Sequence, residues 1–119
     1  MRVAIIGASS DRSKYGNKSL RAHLRRGHEV IPVNPNESTV EGLKAYASIR
    51  DVPGDLDRVS MYVPPAIGAT LMADIAGRGN IKEVWLNPGA ESEEVIAAAR
   101  AVGIEPILGC SIIDIGERP

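Results

Sequence analysis

The residues best placed to do chemistry lie in one run, Gly7-Ala8-Ser9-Ser10-Asp11-Arg12-Ser13-Lys14-Tyr15-Gly16-Asn17. The apolar stretch Val3-Ala4-Ile5-Ile6 precedes it and a helical period follows from Asn17, so the run joins a strand end to a helix start. The first N–H groups of a helix lack intrahelical acceptors and carry the positive end of its dipole, which suits a phosphate. Ser9 and Ser10 add hydroxyl donors, and Arg12, Lys14 and Lys18 add charge, without the Gly-Lys-Ser/Thr ending of a Walker loop. The plainer alternative is an ordinary strand-to-helix turn with a serine cap and solvated cations. The run is not Gly-x-Gly-x-x-Gly. Ser9 stands where the second glycine belongs, and Asn34, not an acid, ends the second strand. That disfavours NAD and leaves open a nucleotide whose adenosine ribose carries a phosphate.

Other reactive side chains are scattered. His28 begins a strand, at the end away from the expected ligand edge, and reads as structural or solvent-facing. His23, near Leu20 and Leu24, reads as a partly packed amphipathic side chain of the first helix. Cys110 follows the last strand on the ligand edge, where a buried structural thiol is a better reading than a reactive one. Asp55 and Asp57 suit a turn and a strand entry, while Glu91, Glu93 and Glu94 suit the first turn of a helix. No triad is legible, because neither histidine is expected on the ligand edge, and two separated histidines with one cysteine do not make a zinc site. The expectation is no catalytic residue and no metal ligand.

The elements that must position the Gly7 run alternate short β-rich and helix-period stretches, the pattern of βα units around a parallel sheet. Five strands are expected: Val3 to Ile6, uncharged and therefore buried on both faces; Val30 to Val33; Val59 to Tyr62; Val84 to Leu86; and a stretch about Pro106 to Leu108. Pro32 and Pro106 each remove a ladder donor, which places the second and last strands short or near an edge. Helices are expected at about Asn17 to Arg26, Ile67 to Arg78 and Ser92 to Val102, closed by Gly27, Gly79 and Gly103. Ile67, Leu71 and Ile75 make one apolar stripe; Val95, Ala98, Ala99 and Val102 make another; and Ser92 caps the third helix. Asn34 to Asp57, with two prolines and two glycines, is expected to be irregular with one helical turn, and Gly116 to Pro119 to fray.

The 119 residues read as one α/β domain, 1–119, with a Rossmann-like, doubly wound, mainly parallel five-stranded sheet and helices on both faces. A net charge of −1 argues against non-specific binding to nucleic acid or an anionic membrane. One cysteine, no signal-like start and no long apolar run fit a cytoplasmic protein that is neither exported nor anchored. In such a sheet ligands lie at the carboxyl ends of the strands. Here those ends are Gly7 to Ser10, Asn34-Pro35-Asn36, Val63-Pro64-Pro65, Asn87-Pro88-Gly89-Ala90 and Gly109-Cys110-Ser111, all small, polar or proline-fixed, which lets backbone N–H groups approach a ligand.

Four motifs, Val3 to Ser10, Gly27 to Pro35, Tyr62 to Pro65 and Val84 to Gly89, carry a resemblance that spans almost the whole chain. The sequence resembles the small stand-alone CoA-binding proteins of bacteria and archaea, akin to the N-terminal CoA-binding domain of the succinate-CoA ligase alpha subunit. The resemblance implies coenzyme A or an acyl-CoA across the carboxyl edge. Gly7, Ala8, Ser9 and Ser10 with the helix start, Tyr15, Gly16 and Asn17, would hold phosphates. Asn34 and Pro35 with Val63, Pro64 and Pro65 would flank the adenine and ribose, and Asn87, Pro88, Gly89 and Ala90 would lie near the pantetheine arm. Relatives often carry Lys directly after the Asn-Pro pair, for the ribose 3'-phosphate. Here Asn36 and Glu37 follow, so Arg12, Lys14 or Lys44 would substitute. The ligase's phosphorylated histidine belongs to a second domain.

The leading expectation is a non-catalytic module binding a small nucleotide ligand, coenzyme A or an acyl-CoA. The alternatives are an NADP-dependent oxidoreductase and a nucleotide-binding subunit working beside a separate catalytic chain, and self-association into a homo-oligomer is left open.

Overall fold

A computed structural model describes all 119 residues. β1 (Arg2–Ile6) leads through the Gly7 run to α1 (Tyr15–Arg25) and β2 (Glu29–Val33). A small antiparallel hairpin, β3 (Thr39–Val40) with β4 (Leu43–Lys44), and a 3-10 turn at Ile49–Asp51 follow. Then come β5 (Leu56–Met61), α2 (Pro65–Arg78), β6 (Ile81–Leu86), α3 (Glu93–Ala101), β7 (Ile107–Leu108) and α4 (Ser111–Asp114). Strand order is β2-β1-β5-β6-β7, all parallel, so the chain reverses its direction of travel across the sheet between β1 and β5. The two proline-bearing stretches, β2 and the short β7, are the sheet edges, as the missing ladder donors require.

Alternation along the strands sorts the core. Val3 and Ile5 of β1 face α1 together with Leu20, Val30 and the hairpin residue Val40. Ala4 and Ile6 face the other way, into the larger cluster with Met61, Met72, Ile75, Leu86 and Val95, which α2 and α3 cover. Both faces of β1 are therefore buried, which accounts for its run of uncharged residues. The far part of the α1 face is polar. Arg58 of β5 is 5% exposed, stacks 4.3 Å from the Trp85 ring and bridges Glu83 and Asp114 at 3.1 and 2.9 Å. Beside it Asn87, Ser60, Tyr62 and Ser111 share hydrogen bonds that dock α4.

Several sequence expectations need correction. The buried stripe of α2 is Gly68, Met72 and Ile75, whereas Ile67 is 49% exposed and Leu71 half-buried. A glycine can take a core position because the helix comes close there: a Cβ on Gly68 would sit 3.3 Å from Val95. His23 is fully buried, not partly packed, with Nδ1 2.8 Å from the Ser19 carbonyl oxygen and Nε2 without a partner. Asn34 to Asp57 does hold one helical turn, but also the hairpin, pinned to β2 where Tyr46 N–H donates to Pro32 O and Asn34 N–H donates to Tyr46 O. Gly116 and Glu117 of the tail are tied to α1. Glu117 accepts from Arg25 at 2.7 Å and Arg26 at 2.9 Å, and Arg26 donates to Gly116 O.

Candidate functional site

The carboxyl ends of β1 and β5 are where the strand order reverses, and there the backbone comes unusually close. Gly7 has φ 88°, and a Cβ on it would sit 2.7 Å from Tyr62 O. On the other side, a Cβ on Gly16 would be 2.2 Å from Gly7 O, so α1 begins against the β1 loop itself. Both positions require glycine because a side chain would occupy space held by backbone.

Helix starts at this edge are left open. α1 has no side-chain cap and no acid in its first turn, and Tyr15 and Gly16 N–H have no acceptor in the chain. α2 opens on Pro64-Pro65, also without a side-chain cap or an early acid. α3 contrasts with both. Ser92 Oγ accepts from Val95 N–H at 3.1 Å, and Glu93 and Glu94 sit in its first turn. The positive end of α1 is thus available to an anion, whereas that of α3 is already answered by its own side chains.

Two clefts meet at this point. One, of about 620 Å³, extends from Gly7 and Ser9 past Asn34 and Pro35 to Ile49 and Ile67. The other, of about 530 Å³, extends from Gly7 past Tyr15 and Gly16 to Pro88, Gly89 and Ala90. Gly7, Lys14, Tyr62, Val63 and Pro64 line both, so they form one bent groove whose elbow is Gly7 and Lys14. The Lys14 side chain has no ion-pair or hydrogen-bond partner, and its backbone N–H donates to Asp11 O at 3.1 Å. Asp11 lies in its field, and hydrogen bonds from the Ser13 side chain and backbone hold the Asp11 carboxyl below its ordinary range, with Lys14 adding to that. Volumes of this size suit a small-molecule ligand.

The groove gathers thirteen of the expected residues: Gly7, Ser9, Lys14, Tyr15, Gly16, Asn34, Pro35, Val63, Pro64, Pro65, Pro88, Gly89 and Ala90. Five others stand behind it. Ala8 is fully buried and its carbonyl accepts from Asn34 Nδ2 at 2.7 Å. Ser10 donates to Glu37, and Arg12 reaches Glu41 at 3.4 Å. Asn17, fully buried, ties Ser9 O to Arg21. Asn87 is 1% exposed and donates to Ser60 Oγ and Met61 O while accepting from Ser111 N–H. These five hold the loops in shape. Lys44 stacks on the Tyr46 ring at 4.8 Å, Lys18 on Tyr15 at 4.8 Å, and Cys110 is half-buried outside the groove. Sequence reasoning did not include Ile67, Leu71, Ala47 to Ile49 or Tyr62 among the lining residues. Nothing in the sequence sets Ile67 apart from Leu71 and Ile75, with which it shares a four-residue spacing.

No His, Cys, Asp or Glu cluster suited to a metal ion is present, and no helix is long and apolar enough to cross a membrane.

Comparison with known proteins agrees with the fold. A conserved hypothetical protein from Pyrococcus furiosus superposes with a TM-score of 0.87 at 39% identity, covering 95% of this chain and 97% of its own. The dinucleotide-forming acetyl-coenzyme A synthetase 1 of Ca. Korarchaeum cryptofilum, a structure with phosphate and ADP, superposes at 0.74 with 31% identity over 87% of this chain and 24% of that one. The alpha subunit of the ADP-forming acetate–CoA ligase II from Pyrococcus furiosus is 30% identical over 95% of this chain. The chain spans only 27% of that subunit's length. Over residues 1–115 the sequence matches the CoA binding domain family, and with a Rossmann-like fold to go with the match, the chain belongs to that family.

Proposed function

We propose that this chain is a binding module for coenzyme A or an acyl-CoA, held along the carboxyl edge of the sheet, with no bond-making chemistry of its own. The observation that carries this reading is the elbow of the groove, where an unpaired Lys14 stands at the uncapped start of α1. A diphosphate there would meet Lys14, Ser9 and the free N–H groups of Tyr15 and Gly16. The apolar arm beside Pro35, Ile49 and Ile67 suits an adenine ring, and the arm ending at Pro88-Gly89-Ala90 suits the pantetheine chain. Family membership supports the ligand class. Calorimetric titration of ligand-stripped protein is expected to show micromolar CoA binding. Absence of CoA binding, with NADP binding measured the same way, would overturn it.

A second reading places the module beside a separate catalytic chain, because the acetate–CoA ligase relative is itself one subunit. A partner that co-purifies with the tagged chain, and CoA ligase activity found only when the two are combined, would support it. Ligase activity in the partner alone would remove the need for this chain.

A further inference from the structure

In a doubly wound sheet the end of β2 reads the adenosine ribose: a carboxylate there takes the hydroxyls, and a guanidinium nearby takes a phosphate carried on them. Asn34 holds that position, and its side chain is committed to the fold, with Nδ2 donating to Ala8 O at 2.7 Å and Oδ1 accepting from Asn36 N–H at 2.8 Å. Asn36 and Glu37 follow, and the Glu37 carboxylate accepts from Ser10. The facing wall carries Asp74, paired with Arg50 at 2.7 Å. Lys14 and Asp74 are the only charged residues lining this arm, and Lys14 belongs to its Gly7 end, where it also lines the other arm. Arg12 is turned to Glu41 and Lys44 to the Tyr46 ring, and neither lines the groove. A phosphate on the ribose would therefore meet no cation lining the arm at the β2 end, whereas a diphosphate at the elbow meets Lys14 and a helix start.

Resting on the coenzyme A reading above, we propose that the groove recognises adenosine ligands through their 5'-diphosphate and leaves the ribose phosphate unread. Dephospho-CoA then binds as well as CoA, and NADP gains nothing over NAD. The sequence alone, with Asn34 and not an acid ending β2, left a phosphorylated ribose open. Neutral Asn34 is silent on that question until its hydrogen bonds are known. Once they are, the side chains that follow are Asn36 and the Ser10-bonded Glu37, and neither carries positive charge.

The test is calorimetry on the full chain with CoA and dephospho-CoA side by side. The expected dissociation constants agree within about threefold, a difference of well under ~1.4 kcal/mol. A cation introduced at the solvent-exposed Asn36→Lys, and separately at Glu37→Lys, is expected to tighten CoA by about tenfold and leave dephospho-CoA unchanged. CoA binding at least about tenfold more tightly than dephospho-CoA to the parent chain overturns this proposal while leaving CoA binding in place. An unchanged CoA to dephospho-CoA ratio in both lysine variants overturns the placement of the ribose at the end of β2. Binding of neither compound overturns the functional reading itself and this proposal with it.

Discussion

Lys14 and His23 show how little a residue's type says until its partners are known. Arg12, Lys14, Lys18 and Lys44 were equivalent in sequence. In the fold Arg12 answers Glu41, Lys18 and Lys44 lie over tyrosine rings, and Lys14 alone among them lines the groove. Lys14→Ala is expected to weaken CoA by about tenfold to a hundredfold with little change in the urea midpoint, since one charge-assisted contact contributes about 1.5–3 kcal/mol and the Lys14 side chain has no hydrogen-bond partner in the fold. Calorimetry paired with urea unfolding checks both halves. His23 acts on stability instead. Burial holds its pKa below the ordinary 6.5, and Arg58 and His28 push the same way, against the Ser19 carbonyl and Asp114. The fold thus keeps a neutral imidazole that the unfolded chain can protonate, so its contribution is present above about pH 6.5 and is lost as pH falls below that value. Urea midpoints are expected to drop between about pH 7.5 and about pH 5.5, and His23→Leu to flatten most of that drop even though it lowers stability at both values.

The elements were legible to the degree that they are long and regular. β1, β5, β6 and the three long helices follow from apolar period, and Ser92 caps α3 through its predicted hydroxyl. α4 and the hairpin were not, because elements of four residues and of two residues a strand carry too few positions to show a period. α4 is docked by tertiary contacts, through Ser111 to Asn87 and Ser60 and Asp114 to Arg58. The junction of β1 with α1 is the element on which ligand binding turns. Gly16→Ala would set a methyl group 2.2 Å from Gly7 O and is expected to cost about 1–3 kcal/mol as the start of α1 moves outward. Since that movement carries the free N–H groups of Tyr15 and Gly16 away from the elbow, CoA affinity falls as well. A variant with full affinity and full stability would show that the helix start has slack, and that the phosphate site does not depend on it.

At the scale of the whole molecule, binding and folding are linked, because the groove exists only where the loops after β1, β2, β5 and β6 converge. An unfolded chain has no such site, so CoA at about one hundred times its dissociation constant is expected to add about 2.7 kcal/mol of stability. For a domain of this size that amounts to a rise of about 10 °C in Tm, measured by thermal scan with and without ligand. By itself the sequence determined the fold class and the two proline-bearing edges. Each of these follows from local propensity and from the period of buried positions, which neighbours in sequence already express. What only the tertiary structure decided is which polar side chains remain free. Asn87 and Asn17 looked like ligand contacts and are fully used by the loops they brace, Ile67 looked like core and forms a wall of the groove, and Lys14 became the unpaired cation. The physical reason is that a hydrogen bond or ion pair joins groups far apart in the chain, so whether a donor is spent or available is set by packing and not by the residues beside it.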